Sequence, residues 1–331
     1  MSALPLAKLF PWKKLAAVIL GLAVTVTLIV MIEPGVVWGQ LKSALPTIGL
    51  ILGLFFIRIL LETQAWQFAV VGKTSYGSLL KISLEGLGVD AFHPFLLIRG
   101  DTIRLAQLNR RFQIPSGAGS LLTDQAIRSL ATLIFLGLAL MEGAGVCPMG
   151  GCPLRQGLFP FLILVGLVAV MIRIFKKGIF YGALLGDPQK GVLKWFSPSV
   201  RGALEERDRH FQAFWKTKRP LFLQSLFIHL LSLGLLGLEV YWIGHALDLA
   251  FSWSFALTLA GLSIIIRKIF YFLPGAHGVL ELLYAGIASL LLGPQALLIG
   301  LTIVIVQRIR VFVWATVGLV LVGNPFKVLM K

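Results

Sequence analysis

Residues Pro274 to Glu281 read PGAHGVLE and lie inside the otherwise apolar stretch 269–292. Backbone that leaves the helix within hydrocarbon exposes unpaired N–H and C=O groups, which is tolerable only where protein or a watery cavity covers them. The stretch should therefore line a cavity. Pro274 ends the incoming segment, Gly275 and Gly278 permit tight turning, and a helix starting near Gly278 turns its N–H groups and positive dipole end toward that cavity. Such an end suits an anion, for example a lipid phosphate. Glu281, one turn in, can stay ionised there or pair with a cation, and His277 can hydrogen-bond or titrate. The alternative is a structural kink whose glycines let helices approach closely. A kink needs Pro or Gly, but neither His nor Glu.

A second polar interruption falls at LEGLGVDAFHPFLLIRGDTIRLAQLNRR, residues 84–111. Arg99, Asp101 and Arg104 could bind a polar headgroup; equally, Asp101 could cap a cytoplasmic helix with the arginines solvated. Arg58 and Glu62 are spaced i, i+4, as are Asp124 and Arg128, so each pair can close on its own helix. Glu239, Arg308 and Arg310 sit deeper in apolar sequence, where charge is costly and marks a pathway or a partner within the bundle. Pairing of Glu239 or Glu281 with Arg308 or Arg310 is expected, with structural salt bridging as the alternative role. Asp90, His93 and Asp101 form the only candidate acid–base cluster. No H-E-x-x-H metal site, G-x-S-x-G nucleophile turn or nucleotide-binding motif occurs.

The elements that must position these groups follow from composition. The chain has 331 residues, 57% hydrophobic and 13% charged, with a mean hydropathy of +0.90, well outside the range of soluble domains. A polytopic, all-α transmembrane bundle of about seven to eight spans plus two re-entrant broken segments is expected. Candidate spans fall near 15–32, 45–64, 119–141, 157–173, 220–247, 250–266 and 295–323, each of a length that can cross hydrocarbon. The longest polar interval, from about Lys176 to Pro220, is too short for a soluble catalytic domain. No cleavage site follows 15–32, which reads as a retained first span.

Lys8, Lys13 and Lys14 precede that span, which places the N-terminus in the cytoplasm. The loop 33–44 is then external. A full crossing at 82–98 would put Arg99, Arg104, Arg110 and Arg111 outside, against the positive-inside rule; a re-entrant segment removes the conflict. The loop GAGVCPMGGCPL is external and carries both cysteines. Cys147 and Cys152 could close a small disulfide in an oxidising compartment or remain free thiols. The net charge of +16 is spread over short loops, which suits anionic lipid rather than nucleic acid.

The chain divides into a first membrane half, 1–173, with a re-entrant segment at about 82–104; a basic cytoplasmic connector, 174–219; and a second half, 220–331, with a re-entrant segment at about 269–292. The connector either lies on the membrane as an amphipathic helix or is a solvated link with anchoring aromatics. Each broken segment follows two spans and carries Pro, Gly, His and an acid. Paired interruptions of this kind point to a transporter's central site. Whether the halves are parallel or inverted repeats stays open.

At PGAHGVLE the chain resembles the transmembrane region of lysylphosphatidylglycerol synthases and related flippase-like membrane proteins. Pro274, Gly275, Gly278 and Glu281 match that family's late Pro-Gly-Gly-x-Gly-x-x-Glu pattern, with Ala276 at the second Gly. Gly100, Asp101 and Arg104 partly meet its early pattern, whose Pro is displaced to Pro94. HLLSLGLLGLEVYWIGHAL, IIIRKIFYFLPGAHGVLE and QRIRVFVWATVGL look like the hopanoid-biosynthesis-associated branch. The resemblance implies a bacterial inner-membrane protein that moves or handles a lipid. The cytoplasmic aminoacyl-transferase domain of the full synthases has no counterpart here.

The expected function is therefore a lipid flippase or transporter without catalytic residues, metal or cofactor. Pro274, Gly275, His277, Gly278, Glu281, Arg99, Asp101, Arg104, Glu239, Arg308 and Arg310 would surround the headgroup of a phospholipid or hopanoid-type lipid. The arginine cluster favours an anionic lipid, the likeness a hopanoid. The alternatives are an integral-membrane lipid-modifying enzyme and a non-catalytic scaffold that partners lipid-biosynthesis enzymes.

Overall fold

The computed structural model describes residues 34–70, 74–91, 100–112, 117–143, 214–247, 252–269, 278–293 and 296–323, with a few isolated positions besides. Among the described residues there are eight helices of 13 residues or more and no strand. Helix α1 runs Pro34–Ala69, α2 Tyr76–Ala91, α3 Gly100–Phe112, α4 Gly117–Gly143, α5 Arg219–Ala246, α6 Trp253–Ile269, α7 Val279–Leu292 and α8 Leu297–Val322.

Among the described residues, four stretches are long and apolar enough to cross a membrane: Pro34–Ala69, Gly119–Ala139, Arg219–Ala246 and Leu297–Val322. Shorter apolar segments lie in α6 and α7. The protein is thus a multi-pass, all-α membrane bundle. Its outer faces carry bare apolar side chains, among them Val320 at 76%, Phe227 at 66% and Phe312 at 61% exposure. Acyl chains would cover such a surface without cost, whereas water would not.

Residues 34–44 do not form the external loop expected from sequence. They are the first turns of α1, a helix of 36 residues that reaches about 54 Å at 1.5 Å per residue, well beyond a hydrocarbon core of about 30 Å. Within these turns Val37 and Ala44 are buried. Tertiary burial, which local polarity does not report, carries the helix back to Pro34. The expected spans 15–32 and 157–173 lie outside the described residues apart from isolated positions, as does most of the connector 174–219. At its end Phe222 meets Trp215 edge-on, ring centroids 4.6 Å apart, and both belong to a cluster with Phe214 and Ile127.

The segment at 82–98 resolves into α2 up to Ala91, with 92–99 outside the described residues, and α3 packs back on α2. In α3, Asp101 stands in the first turn and Arg110 and Arg111 in the last, the arrangement that favours the helix dipole.

Helices of the two halves interleave. The heaviest pairings are α1 with α5 and α2 with α8. Three contacts set the direction of the first pair: Ser225 Oγ donates to the Ala65 carbonyl, Ser232 Oγ to Glu62, and Glu239 faces Arg58. Rising numbers on α5 meet falling numbers on α1, so the two run antiparallel. In the second pair, a methyl group added at Gly318 would overlap the Leu84 carbonyl, and one at Gly88 would overlap the α8 backbone. Small residues bring these backbones together where no hydrophobic drive between helices operates in lipid.

Candidate functional site

Seven charged or titratable residues of the bundle interior form one chain of contacts across four helices. On α4, Asp124 Oδ1 lies 3.0 Å from His229 Nε2 of α5, and Asp124 Oδ2 accepts from Arg128 at 3.3 Å. Arg128 Nη1 stands 3.2 Å from Glu62 of α1. Glu62 also accepts from Ser232 Oγ at 3.1 Å and faces Arg58 at 3.6 Å. Arg58 reaches Glu239 of α5 at 3.8 Å, and Glu239 closes on Arg310 of α8. The order Arg310, Glu239, Arg58, Glu62, Arg128, Asp124, His229 alternates in sign as far as Asp124. In a low-dielectric interior each charge there stands beside an opposite one, the condition under which such groups survive burial.

One end of this chain is dry. Glu239 is fully enclosed, Arg310 is 2% exposed, and the Arg310 guanidinium lies over the Phe55 ring at 4.6 Å, a cation–π seat. Nearby, Trp314 stacks on Phe56 with centroids 4.5 Å apart and donates Nε1–H to the Leu52 carbonyl at 3.1 Å. The other end is open. The Glu62 and Arg128 side chains are 30% and 39% exposed.

That open end borders a cavity of about 70 Å³ whose lining includes Arg58, Glu62, Thr63, Trp66, Arg104, Asp124 and Arg128. Phe55, Ile59, Leu87 and Leu121 complete the wall, and the space is enough for several waters or a small oxygen-rich group. Four of the lining residues each carry a buried donor that has no hydrogen-bond partner: Arg58 Nε, Arg128 Nε, Thr63 Oγ1 and Trp66 Nε1. Buried donors are nearly always satisfied, by protein or by something bound. Four together call for acceptor oxygens.

Of the described residues expected from sequence at the site, Arg104 alone lines this cavity. Its Nη1 donates to Asp101 at 2.8 Å and its Nη2 stands 3.9 Å from Asp90. Asp101 also accepts from Gln125 at 2.9 Å, which ties α3 to α4, and Asp90 accepts from the Gly100 N–H at 2.7 Å. Glu239 and Arg310 form the dry end of the chain. Glu281 pairs with Arg308, Nη2 to Oε1 at 3.2 Å, and both expected Glu–Arg pairings across the second half are thus present. Gly278 is the N-cap of α7 with φ 79°, a conformation glycine adopts freely and side chains resist. Glu281 stands in the first turn. Arg99, Pro274, Gly275, His277, His93, Cys147 and Cys152 lie outside the described residues, so the turn before Gly278 and the possible disulfide are not part of this geometry.

Spacing suggested pairs within one helix for Arg58 with Glu62 and for Asp124 with Arg128. Both occur, but Glu62–Arg128 links the two helices, and Thr63, Trp66 and His229 join them. A signal for the last existed in the sequence. Ser225, His229, Ser232 and Glu239 recur at spacings of 4, 3 and 7, a polar stripe down one face of an apolar helix, and all four are buried.

The observed architecture is a lipid-facing bundle that keeps a charged, partly open recess between its spans. No curated protein and no solved structure is significantly similar to the chain. The family model described as "Lysylphosphatidylglycerol synthase TM region" matches residues 18–318, nearly the full length, and the chain belongs to that family.

Proposed function

We propose that the protein moves a lipid between the leaflets of the bacterial inner membrane, with its N-terminus in the cytoplasm, and holds the lipid's phosphate-bearing headgroup in the cavity among α1 to α4. The observation that carries this reading is the set of four unpartnered buried donors on Arg58, Thr63, Trp66 and Arg128. Phosphate oxygens supply the acceptors these donors lack, and arginine matches phosphate through charge-assisted hydrogen bonds. Family membership supports a place in lipid metabolism or transport. A hopanoid with an uncharged headgroup would offer Arg58 Nε and Arg128 Nε no charged acceptor, so a phospholipid is favoured over the hopanoid that the sequence likeness suggests.

Arg128, Arg58 and Arg104 would face the phosphate, with Glu62, Asp124 and Asp101 holding the arginines in place. Glu239 with Arg310, and Glu281 with Arg308, would brace the second-half helices against which the cavity wall is built. No lipid is chemically altered in this account. The test is transbilayer movement of a fluorescent phosphatidylglycerol in liposomes that hold the purified protein. Faster movement than in protein-free vesicles, lost in Arg128→Gln and retained in Arg110→Gln outside the cavity, is the expected result. Unchanged movement accompanied by a chemically modified lipid would favour an enzyme instead.

A further inference from the structure

Within the charge chain, cations and anions balance and leave no cation to spare. Arg310, Arg58 and Arg128 face Glu239, Glu62 and Asp124, three cations against three anions. Arg104 at the cavity's far wall faces Asp101 and Asp90. The remaining member of the chain is His229, buried at 1% exposure with Nε2 3.0 Å from Asp124 Oδ1. With a neutral imidazole the chain, among the described residues, carries no net charge. A singly anionic headgroup entering the cavity would then add one uncompensated negative charge to a low-dielectric interior, which is strongly unfavourable.

We propose that the headgroup enters the cavity together with one proton, which His229 takes up from the cavity water. The inference rests on the lipid-transport reading above and assigns that transport its coupling ion. Histidine is the side-chain type whose charge changes between about pH 5 and 8. With Asp124 ionised, Nε2 carries the hydrogen that Asp124 accepts, and the second proton makes both ring nitrogens donors. The imidazolium keeps its ion pair with Asp124 and brings the whole chain to one net positive charge, which the headgroup phosphate cancels. Asp124 itself lines the cavity, so water and proton reach the pair from the same recess that admits the ligand.

The groups that face His229 are consistent with this assignment. Asp124 of α4 touches the ring and Glu62 of α1 acts on it through charge, while Arg128 and Arg58 stand behind these two carboxylates. On α6 and α8 the described charged groups are Arg267, Arg308 and Arg310, which stand against Gln307, Glu281 and Glu239 respectively.

The test measures binding of short-chain phosphatidylglycerol to the detergent-solubilised full chain between about pH 5.5 and 8.5. Glycerophosphoglycerol, the same headgroup without acyl chains, serves as a second probe. Neither phosphodiester titrates in this range, so any pH dependence belongs to the protein. One linked proton makes binding weaken by up to tenfold per pH unit as the imidazole loses its charge. His229→Gln should bind weakly at every pH, and Asp124→Asn, which leaves a permanent positive excess, should bind tightly at every pH. These opposite shifts are what a merely structural His–Asp pair would not produce.

Binding of both probes assigns the linkage to the headgroup; binding of the lipid alone adds a requirement for acyl chains. The proposal is overturned by pH-independent binding to the wild type, by a pH dependence that survives His229→Gln, or by no binding of either probe at any pH. Transport without pH-linked binding would overturn the coupling and leave the transport reading. Proton-linked binding without transport would do the reverse.

Discussion

The two ends of the buried charge chain differ in what surrounds them. At Glu239 and Arg310 both partners are enclosed, a phenyl ring covers the guanidinium, and the pair ties α5 to α8. At Glu62 and Arg128 the side chains are about a third exposed and border a cavity beside donors that lack partners. Similar residue types therefore hold helices together at one end and can receive a ligand at the other. What separates the roles is access, since one pair is sealed among packed side chains and the other borders a recess that a ligand can enter.

The comparison breaks most visibly at the dry end. Glu239→Ala leaves Arg310 buried and unpaired, which should lower stability by about 3–5 kcal/mol; thermal unfolding in detergent should show a large drop, and adding Arg310→Met should recover much of it. If the single variant unfolds like the wild type, the dry end is not structural.

Next in size is Gly318→Leu, which drives a side chain into the Leu84 carbonyl and should separate α2 from α8 at a cost of about 1–3 kcal/mol. Its thermal midpoint should fall while Gly286→Leu, at a position where an added Cβ meets nothing, leaves it nearly unchanged.

At the open end the effect should move from stability to activity. Arg128→Gln is expected to shift the unfolding midpoint less than Glu239→Ala, because its pair with Glu62 is about a third exposed and Asp124 keeps His229 as a partner. It should slow lipid movement in liposomes by about tenfold or more, which corresponds to one lost charge-assisted contact of about 1.5–3 kcal/mol. The smallest stability effect is expected at Glu281→Gln, which keeps a hydrogen-bond acceptor for Arg308, a side chain 27% exposed; about 1 kcal/mol or less separates it from the wild type. A loss of transport there equal to that of Arg128→Gln would move the ligand site toward Gly278.

Much of the bundle was legible in the chain. The apolar runs at 45–64, 119–141, 220–247 and 295–323 all fall within helices, because hydrocarbon selects for long apolar segments regardless of their neighbours. The start of α7 at Gly278 was legible too, since glycine and proline act on local backbone. The site was less so. Arg58 with Glu62 and Asp124 with Arg128 read as self-contained pairs, because helical spacing reports neighbours on one helix and is silent about the next. The extent of α1 back to Pro34 was missed for a related reason: Val37 and Ala44 are held by burial rather than by propensity.

By itself, the sequence determined that this chain is a membrane bundle, that a helix starts at Gly278 and that charge lies among its spans, because those properties depend on composition and on contacts a few residues apart. Only the tertiary structure decided that α1 meets α5 antiparallel, that Glu62 reaches Arg128, that His229 meets Asp124 across 105 residues and that a cavity opens at one end of the chain rather than the other. Those outcomes depend on which helix faces become neighbours, and that is set by close approach at residues such as Gly88 and Gly318 and by the need of every buried charge for an opposite one.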